Sequence, residues 1–284
     1  MEAPHAIDTQ QPNAVAEAVK AAFTLIGAEG SHALLDQLFK DVTDMFEGRF
    51  MGYQAVDMEY HDYEHSLQAT VCLVQMLEGR RLTTDQPELL VRDWELSVMA
   101  ALLHDTGFLK EVGDDSGTGA KYTFGHELRS CSFARHYLPS LGVNPSEVED
   151  VCSAIMCTGP RNNIDEVAFQ RPEARQSAYL LVNADYLAQI SAAEYLEKLP
   201  KLYTEFQEAF EISEIAMEDR PYKNERELLE KTPLFWHDFV LPLLDRETDS
   251  AYRYLSPPGQ PNPYLIAIEA NLKELTRRLN SDEV

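Results

Sequence analysis

Long apolar runs are missing from this 284-residue chain. No stretch of about 18 consecutive apolar residues occurs, so nothing in it reads as a membrane span. Cysteine is scarce: Cys72, Cys131, Cys152 and Cys157 form no CxxC pair and no disulfide-rich density. The first three fall in apolar helical patterns and read as small buried hydrophobes. Basic residues are few, 24 Lys and Arg against 48 Asp and Glu, leaving a formal charge of -24. A field of that sign repels nucleic-acid backbones and anionic lipid surfaces, so nucleic acid and membranes are excluded as partners. It does not exclude a small phosphorylated molecule, because a bound cation and one or two local basic groups can reverse the potential inside a pocket. Strand-like alternation, internal repeats and a clear domain linker are absent too. Residues 1–13 are polar and acidic, without a charged-then-apolar leader pattern, which leads us to expect a cytoplasmic protein.

What is present is apolar periodicity at helical spacing. With 44% hydrophobic residues the chain can fill a core, and the expected fold class is all-α. Residues 1–12 read as a disordered tail. Val15, Val19, Ala22, Leu25 and Ile26 mark a first helix, and the steps from Leu34 to Phe46 mark a second. A third should run over about 62–77, facing the core with Leu67, Val71, Val74 and Leu77. Asp93 is a plausible cap for a fourth, apolar helix ending near Gly107. Residues 106–125, rich in glycine and aspartate, break the pattern, as a lid or binding loop would. Helices resume at 126–138, after the Asn144-Pro145 cap, and over about 172–190. Further amphipathic helices follow, one opened by Thr232-Pro233 and a last one over about 264–279, after a proline-rich turn at 256–263. The division expected is N-terminal helices over 13–54, a core over 55–190 and a C-terminal helical extension over 191–284.

Four of the eight histidines stand in conspicuous places. His61 and His65 lie four apart at a helix start and project from one face. His104 and Asp105 end an apolar run and can reach one cavity from one turn. Asp185 interrupts an apolar helix face, with no Lys or Arg within a turn on either side. A buried carboxylate needs a cationic partner or must neutralise, and a divalent metal is one such partner. Any one of these residues alone reads more readily as a core group satisfied by hydrogen bonds; the set at these spacings does not. His126 opens the helix after the glycine-rich stretch.

The series His65, His104-Asp105, Asp185 resembles the ligand set of the HD superfamily of metal-dependent phosphohydrolases. Tyr60-His61 with His65 resembles the opening motif of its cyclic nucleotide phosphodiesterase branch, with Asp62 where Asn is usual. Residues 101–107 and 181–189 resemble the helices that carry the central His-Asp pair and the last Asp. The resemblance covers about residues 55–190 and implies an HD-type helical bundle with N- and C-terminal extensions. It further implies that His65, His104, Asp105 and Asp185 hold a tight divalent metal, one of Mg, Mn, Fe, Ni or Zn, with Asp105 able to bridge to a second. A metal-activated water would attack phosphorus, with His61 as general acid and Asp105 as a catalytic ligand. The reaction implied is hydrolysis of a phosphomonoester or phosphodiester of a small metabolite or nucleotide.

Two departures bear on a second metal. His126 fits one further family histidine, and reads equally as a metal or substrate contact or as a surface helix cap. Where another histidine is usual the chain has Cys157, a poor partner for Mg or Mn; a ligand role for it and loss of that contact are both open. A single tight site, with a weak second one left open, is expected. Lys110, Lys121 and Arg161 are the phosphate-binding candidates, each weighed against ordinary solvation. Glu64 and Glu127 stand beside ligands and could orient them. His5, His32, His136 and His237 lack companions, and His237 beside Trp236 reads as core packing. A homodimer stays open. The competing readings are a non-catalytic nucleotide or metal sensor of the same fold, an oxygenase using paired iron, and a metal-free helical scaffold that would leave Asp185 unexplained.

Overall fold

The computed structural model describes residues 7–83, 88–257 and 259–281, and among these the chain is helical throughout, with no strand beyond one isolated bridge between Tyr53 and Glu111. Two N-terminal helices, α1 (Pro12–Leu25) and α2 (His32–Phe46), pack on each other and bury Val15, Val19, Phe23, Leu38 and Val42. Phe23 takes the core place expected of Leu25, which is exposed at the helix end. Of the tail expected over residues 1–12, residues 1–6, His5 among them, lie outside the described residues, and Thr9 bonds Glu64 on the third helix.

The centre is α3 (Tyr63–Arg81). Most of the helix is buried, and its polar residues Glu64, Gln68, Gln75 and Glu78 are confined to one face. Asp62 caps it by accepting from the His65 N–H at 3.0 Å. Around it stand α4 (Val91–Leu103), α5 (His126–Tyr137), α6 (Pro145–Thr158) and α7 (Pro172–Ser191), with α3 against α7 and α4, and α6 against α5 and α7. Asp93 is not the cap of α4. It lies inside the first turn, where its carboxylate accepts from the Leu90 N–H at 2.9 Å and from Arg171 at 2.7 Å. That guanidinium also binds Asp150, so one arginine ties α4, α6 and the start of α7 together. Asn144 and Pro145 open α6 with a reciprocal capping box through Glu147.

The C-terminal third supplies α8 (Tyr195–Ile212), α9 (Glu225–Leu234), α10 (Leu241–Glu247) and α11 (Pro263–Asn280). Asn224, not Thr232, opens α9. Pro233 lies within its last turn, and the helix continues into a π-helical segment, Phe235–Val240, before α10. Proline brings no N–H to the α-type ladder, so a wider turn beside it is physically reasonable. Within that segment Trp236 is buried while His237 faces solvent, so His237 is not core packing. α11 lies on α7 and covers its outer face. No described helix is long and apolar enough to cross a membrane. Cys72, Cys131, Cys152 and Cys157 are all buried and unpaired.

Candidate metal centre

Three helices, far apart in sequence, deliver four side chains to one point. His65 comes from the first turn of α3, His104 and Asp105 from the turn that follows α4, and Asp185 from the middle of α7. His65 Nε2 lies 3.0 Å from Asp185 Oδ1, 3.3 Å from Asp105 Oδ2 and 3.3 Å from His104 Nε2. His104 Nε2 lies 3.4 Å from Asp105 Oδ2 and 3.6 Å from Asp185 Oδ1. Donors around one first-row cation, at bond lengths of about 2.0–2.2 Å, stand about 3.0–3.5 Å from their neighbours. The observed spacings have that size. His65, His104 and Asp185 can hold a metal ion, and Asp105 Oδ2 lies beside both imidazoles.

The surrounding bonds aim the donors. His104 Nδ1 donates to the Ala101 carbonyl at 2.7 Å, which leaves the Nε2 lone pair facing the cluster. Gln189 Nε2 sits 3.4 Å from His65 Nδ1, on the side of the ring away from the cluster. Asp105 Oδ2 is buried and has no hydrogen-bond partner. An orphaned carboxylate oxygen between two imidazoles is costly unless a cation meets it, and this atom is the strongest sign that the donors fit a metal. Burial alone would raise the Asp185 carboxyl, but hydrogen bonds to His104 and His65 outweigh it and hold it well below the usual carboxylate range. Asp105 is likewise lowered, chiefly by His104 and His65 against its burial. Burial would lower His104, yet the charges of Asp105 and Asp185 lift it to about 9. Without a metal, a proton does the neutralising.

The turn that carries His104 and Asp105 is fastened from α5. Ser130 Oγ accepts from the Gly107 N–H at 2.8 Å and donates to the His104 carbonyl, while Arg129 donates to the Gly107 and Leu109 carbonyls. A Cβ on Gly107 would meet the His126 carbonyl oxygen at 1.9 Å, so only glycine lets α5 approach this closely. That approach brings His126 Nε2 to 3.6 Å from Asp105 Oδ1, with Nδ1 bonded to the Thr123 carbonyl. His126 therefore faces the second oxygen of Asp105, not the surface, with Glu127 beside it. Cys157 does not join the cluster: it is packed in the core, and burial pushes its thiol up to about 12, far from a thiolate ligand.

His61 lies on the edge of the same cavity, its ring stacked on Phe108 at 4.7 Å, and Phe108 stacks in turn on His126 at 4.2 Å. Its Nδ1 is 2.7 Å from Glu205 Oε2. The other oxygen of Glu205 accepts the Glu59 and Tyr60 N–H groups, so a buried glutamate of α8 holds the whole segment before α3. Burial would lower the His61 imidazole; the hydrogen bond and charge of Glu205 outweigh it and raise it. Lys198, two turns earlier on α8, binds the capping Asp62 at 2.8 Å.

Of the three basic candidates, only Arg161 lines the cavity, resting over the Phe124 ring at 4.1 Å. Lys110 is paired with Asp57 and bonded to the Gly117 carbonyl, and Lys121 is paired with Asp114, so both hold the 106–125 stretch together. Glu64 bonds Thr9 and so faces away from the cluster. Glu205, Phe108, Ser130 and Arg129 went unnoticed in the sequence, where each looks like an ordinary residue of an amphipathic helix or loop. No family model, curated protein or solved structure matches the chain.

Proposed function

We propose that this chain is a metal-dependent phosphohydrolase of the HD type, cleaving a phosphomonoester or phosphodiester bond in a small molecule. The observation that carries the reading is the convergence of two imidazoles and two carboxylates at 3.0–3.6 Å, with Asp105 Oδ2 buried and unpartnered among them. When bound, the cation would supply Lewis-acid stabilisation of phosphoryl oxygens and a water of lowered pKa. The remaining work falls to the chain. His65, His104, Asp105 and Asp185 hold the charge in place, and His126 stands on the far oxygen of Asp105, where a weaker second cation or a phosphoryl oxygen could be met.

His61 is the proton donor in this reading. Glu205 occupies its Nδ1 and keeps it protonated, which leaves Nε2 for the leaving oxygen. In the step, a water oxygen bonds to phosphorus, the ester P–O bond breaks, and the departing oxygen takes the His61 proton. The proton lost by the water passes to solvent, from which His61 recharges. Phe108, stacked on both His61 and His126, keeps the two rings at a fixed separation across the site.

Elemental analysis of the purified protein, followed by assay of the Mn- and Mg-loaded forms on p-nitrophenyl phosphate and bis(p-nitrophenyl) phosphate, tests the reading. Bound divalent metal near one equivalent with hydrolysis of either ester is the expected result. A metal-loaded, folded protein silent on both and on a nucleotide panel would point to a binding protein instead.

A further inference from the structure

The cavity that holds the cluster encloses about 460 Å³, and most of its depth is not built by the metal-bearing helices. Its far wall comes from α8 and α9: Leu199, Leu202, Phe206, Phe210 and Leu228. The aromatics there are locked to each other, Phe206 stacking on Phe210 at 5.9 Å and on Tyr222 at 6.0 Å, and Phe210 on Phe124 at 5.7 Å. Such a wall is preformed and offers area without hydrogen bonds.

The charges in the lining complete the picture. Among the described residues that line the cavity, Arg161 is the one lysine or arginine, and Asp105, Glu127 and Asp185 stand against it. Lys110 and Lys121, engaged with Asp57 and Asp114, lie outside. One phosphoryl group can be neutralised at the cluster; a second or third phosphate would find carboxylates and phenyl rings. A sugar would find few partners on the Leu199–Phe210 stretch itself: the Asn162 amide already donates to the Met156 carbonyl and the Thr232 hydroxyl to the Leu228 carbonyl, and the polar groups left beside it are mainly tyrosine hydroxyls, those of Tyr195 and Tyr222 among them.

We propose that the site selects a phosphate ester whose other part is a large apolar group, an alkyl chain or aryl ring, lying along the Leu202–Phe206–Phe210 wall, over nucleoside polyphosphates and sugar phosphates. This rests on the phosphohydrolase reading and names its substrate class. The hydrolysis is the one written above, releasing an apolar alcohol and inorganic phosphate from a monoester.

Two measurements on the Mn-loaded full chain separate this inference from the reading beneath it. Hydrolysis is followed on methyl, butyl, octyl and phenyl phosphate beside ATP, AMP, cyclic AMP and glucose 6-phosphate. Binding of methyl-, butyl- and octylphosphonate, whose C–P bond is not hydrolysed, is followed by calorimetry. Full burial is worth about fourfold per methylene, so both kcat/KM and affinity should rise by at least about a hundredfold from methyl to octyl. Phe206→Ala and the milder Leu202→Ala should each cut the octyl-to-methyl ratio by about tenfold, as expected for losing several buried carbons. Both side chains are only partly buried, so the fold should tolerate the change. A flat chain-length profile with turnover intact overturns the inference and leaves the hydrolase standing. A graded phosphonate affinity without turnover of any ester overturns the hydrolase and leaves the ligand class. Preference for ATP, AMP, cyclic AMP or glucose 6-phosphate over the octyl ester overturns the inference outright.

Discussion

Each ring nitrogen in the cluster has a separate duty, and that division sets what single substitutions do. His104 uses Nδ1 on the Ala101 carbonyl and keeps Nε2 for a cation; Asp185 supplies an oxygen to both imidazoles. His104→Ala or Asp185→Ala should therefore abolish metal uptake, read as metal per chain after dialysis. His61→Ala should keep the metal and lose at least about a hundredfold in turnover, the scale of a general acid. Metal bound equally by all three variants would contradict the assignment. Glu205 gives a finer test. Because its charge raises His61, Glu205→Gln should bring the His61 pKa down. A donor must be protonated, so the alkaline limb of the pH–rate profile should move to lower pH, with metal content unchanged. A profile that keeps its position would mean that Glu205 only ties the chain together.

At the scale of elements, α5 and α8 do the positioning without contributing to the His65–His104–Asp185 cluster. Ser130 joins the His104–Gly107 turn to α5 through one donated and one accepted bond, all of it buried. Ser130→Ala strands the Gly107 N–H and should cost about 1–3 kcal/mol in a urea melt, with weaker metal binding as the Asp105 turn loosens. Gly107→Ala should do worse for binding than for stability, because its Cβ must push the His126 backbone away from Asp105. On the other side, α8 reaches across with Lys198 to Asp62, Glu205 to His61 and Glu208 to Thr118, one helix face gripping the start of α3 and the 106–125 stretch together. That is how a C-terminal helix with no motif of its own comes to set the position of His61.

For the molecule as a whole, the cluster joins α3, the end of α4 and α7. A cation that binds only the folded chain stabilises it by about 2.7 kcal/mol at a hundred times its Kd, which for a chain of this size should raise Tm by about 4–5 °C. In metal-free protein the same role is left to the His104 proton. Its folded pKa, near 9, lies above the ordinary 6.5, so that contribution is whole below about pH 6.5 and is lost as pH rises through 9. Melting curves of the chelated protein should therefore fall between pH 6.5 and 9, and excess divalent metal should remove most of the slope. The surplus of 24 negative charges acts at this scale too, repelling an anion from the cavity unless a cation at the cluster and Arg161 reverse the potential there.

Periodicity made the helices legible; the two imidazoles and two carboxylates stood out partly because Asp185 interrupts an apolar helical face, where a charge is expensive, and were joined into one set by the resemblance of their series to a known ligand pattern. Asp93 and Pro233 were misplaced by a turn or more, since a capping aspartate and an N3 aspartate look alike, and a proline tolerated beside a π-helical turn looks like a helix start. Glu205 was illegible: α8 carries Glu197, Glu205, Glu208 and Glu211, and which of them is buried depends on what lies opposite. The same holds for Ser130, Phe108 and the apolar wall of the cavity. One-dimensional pattern records which side chains leave water, as each residue's own chemistry dictates. Which of them meet, at what distance and around what space, is settled only when helices separated by tens of residues pack, because those contacts belong to pairs of surfaces and not to either sequence segment.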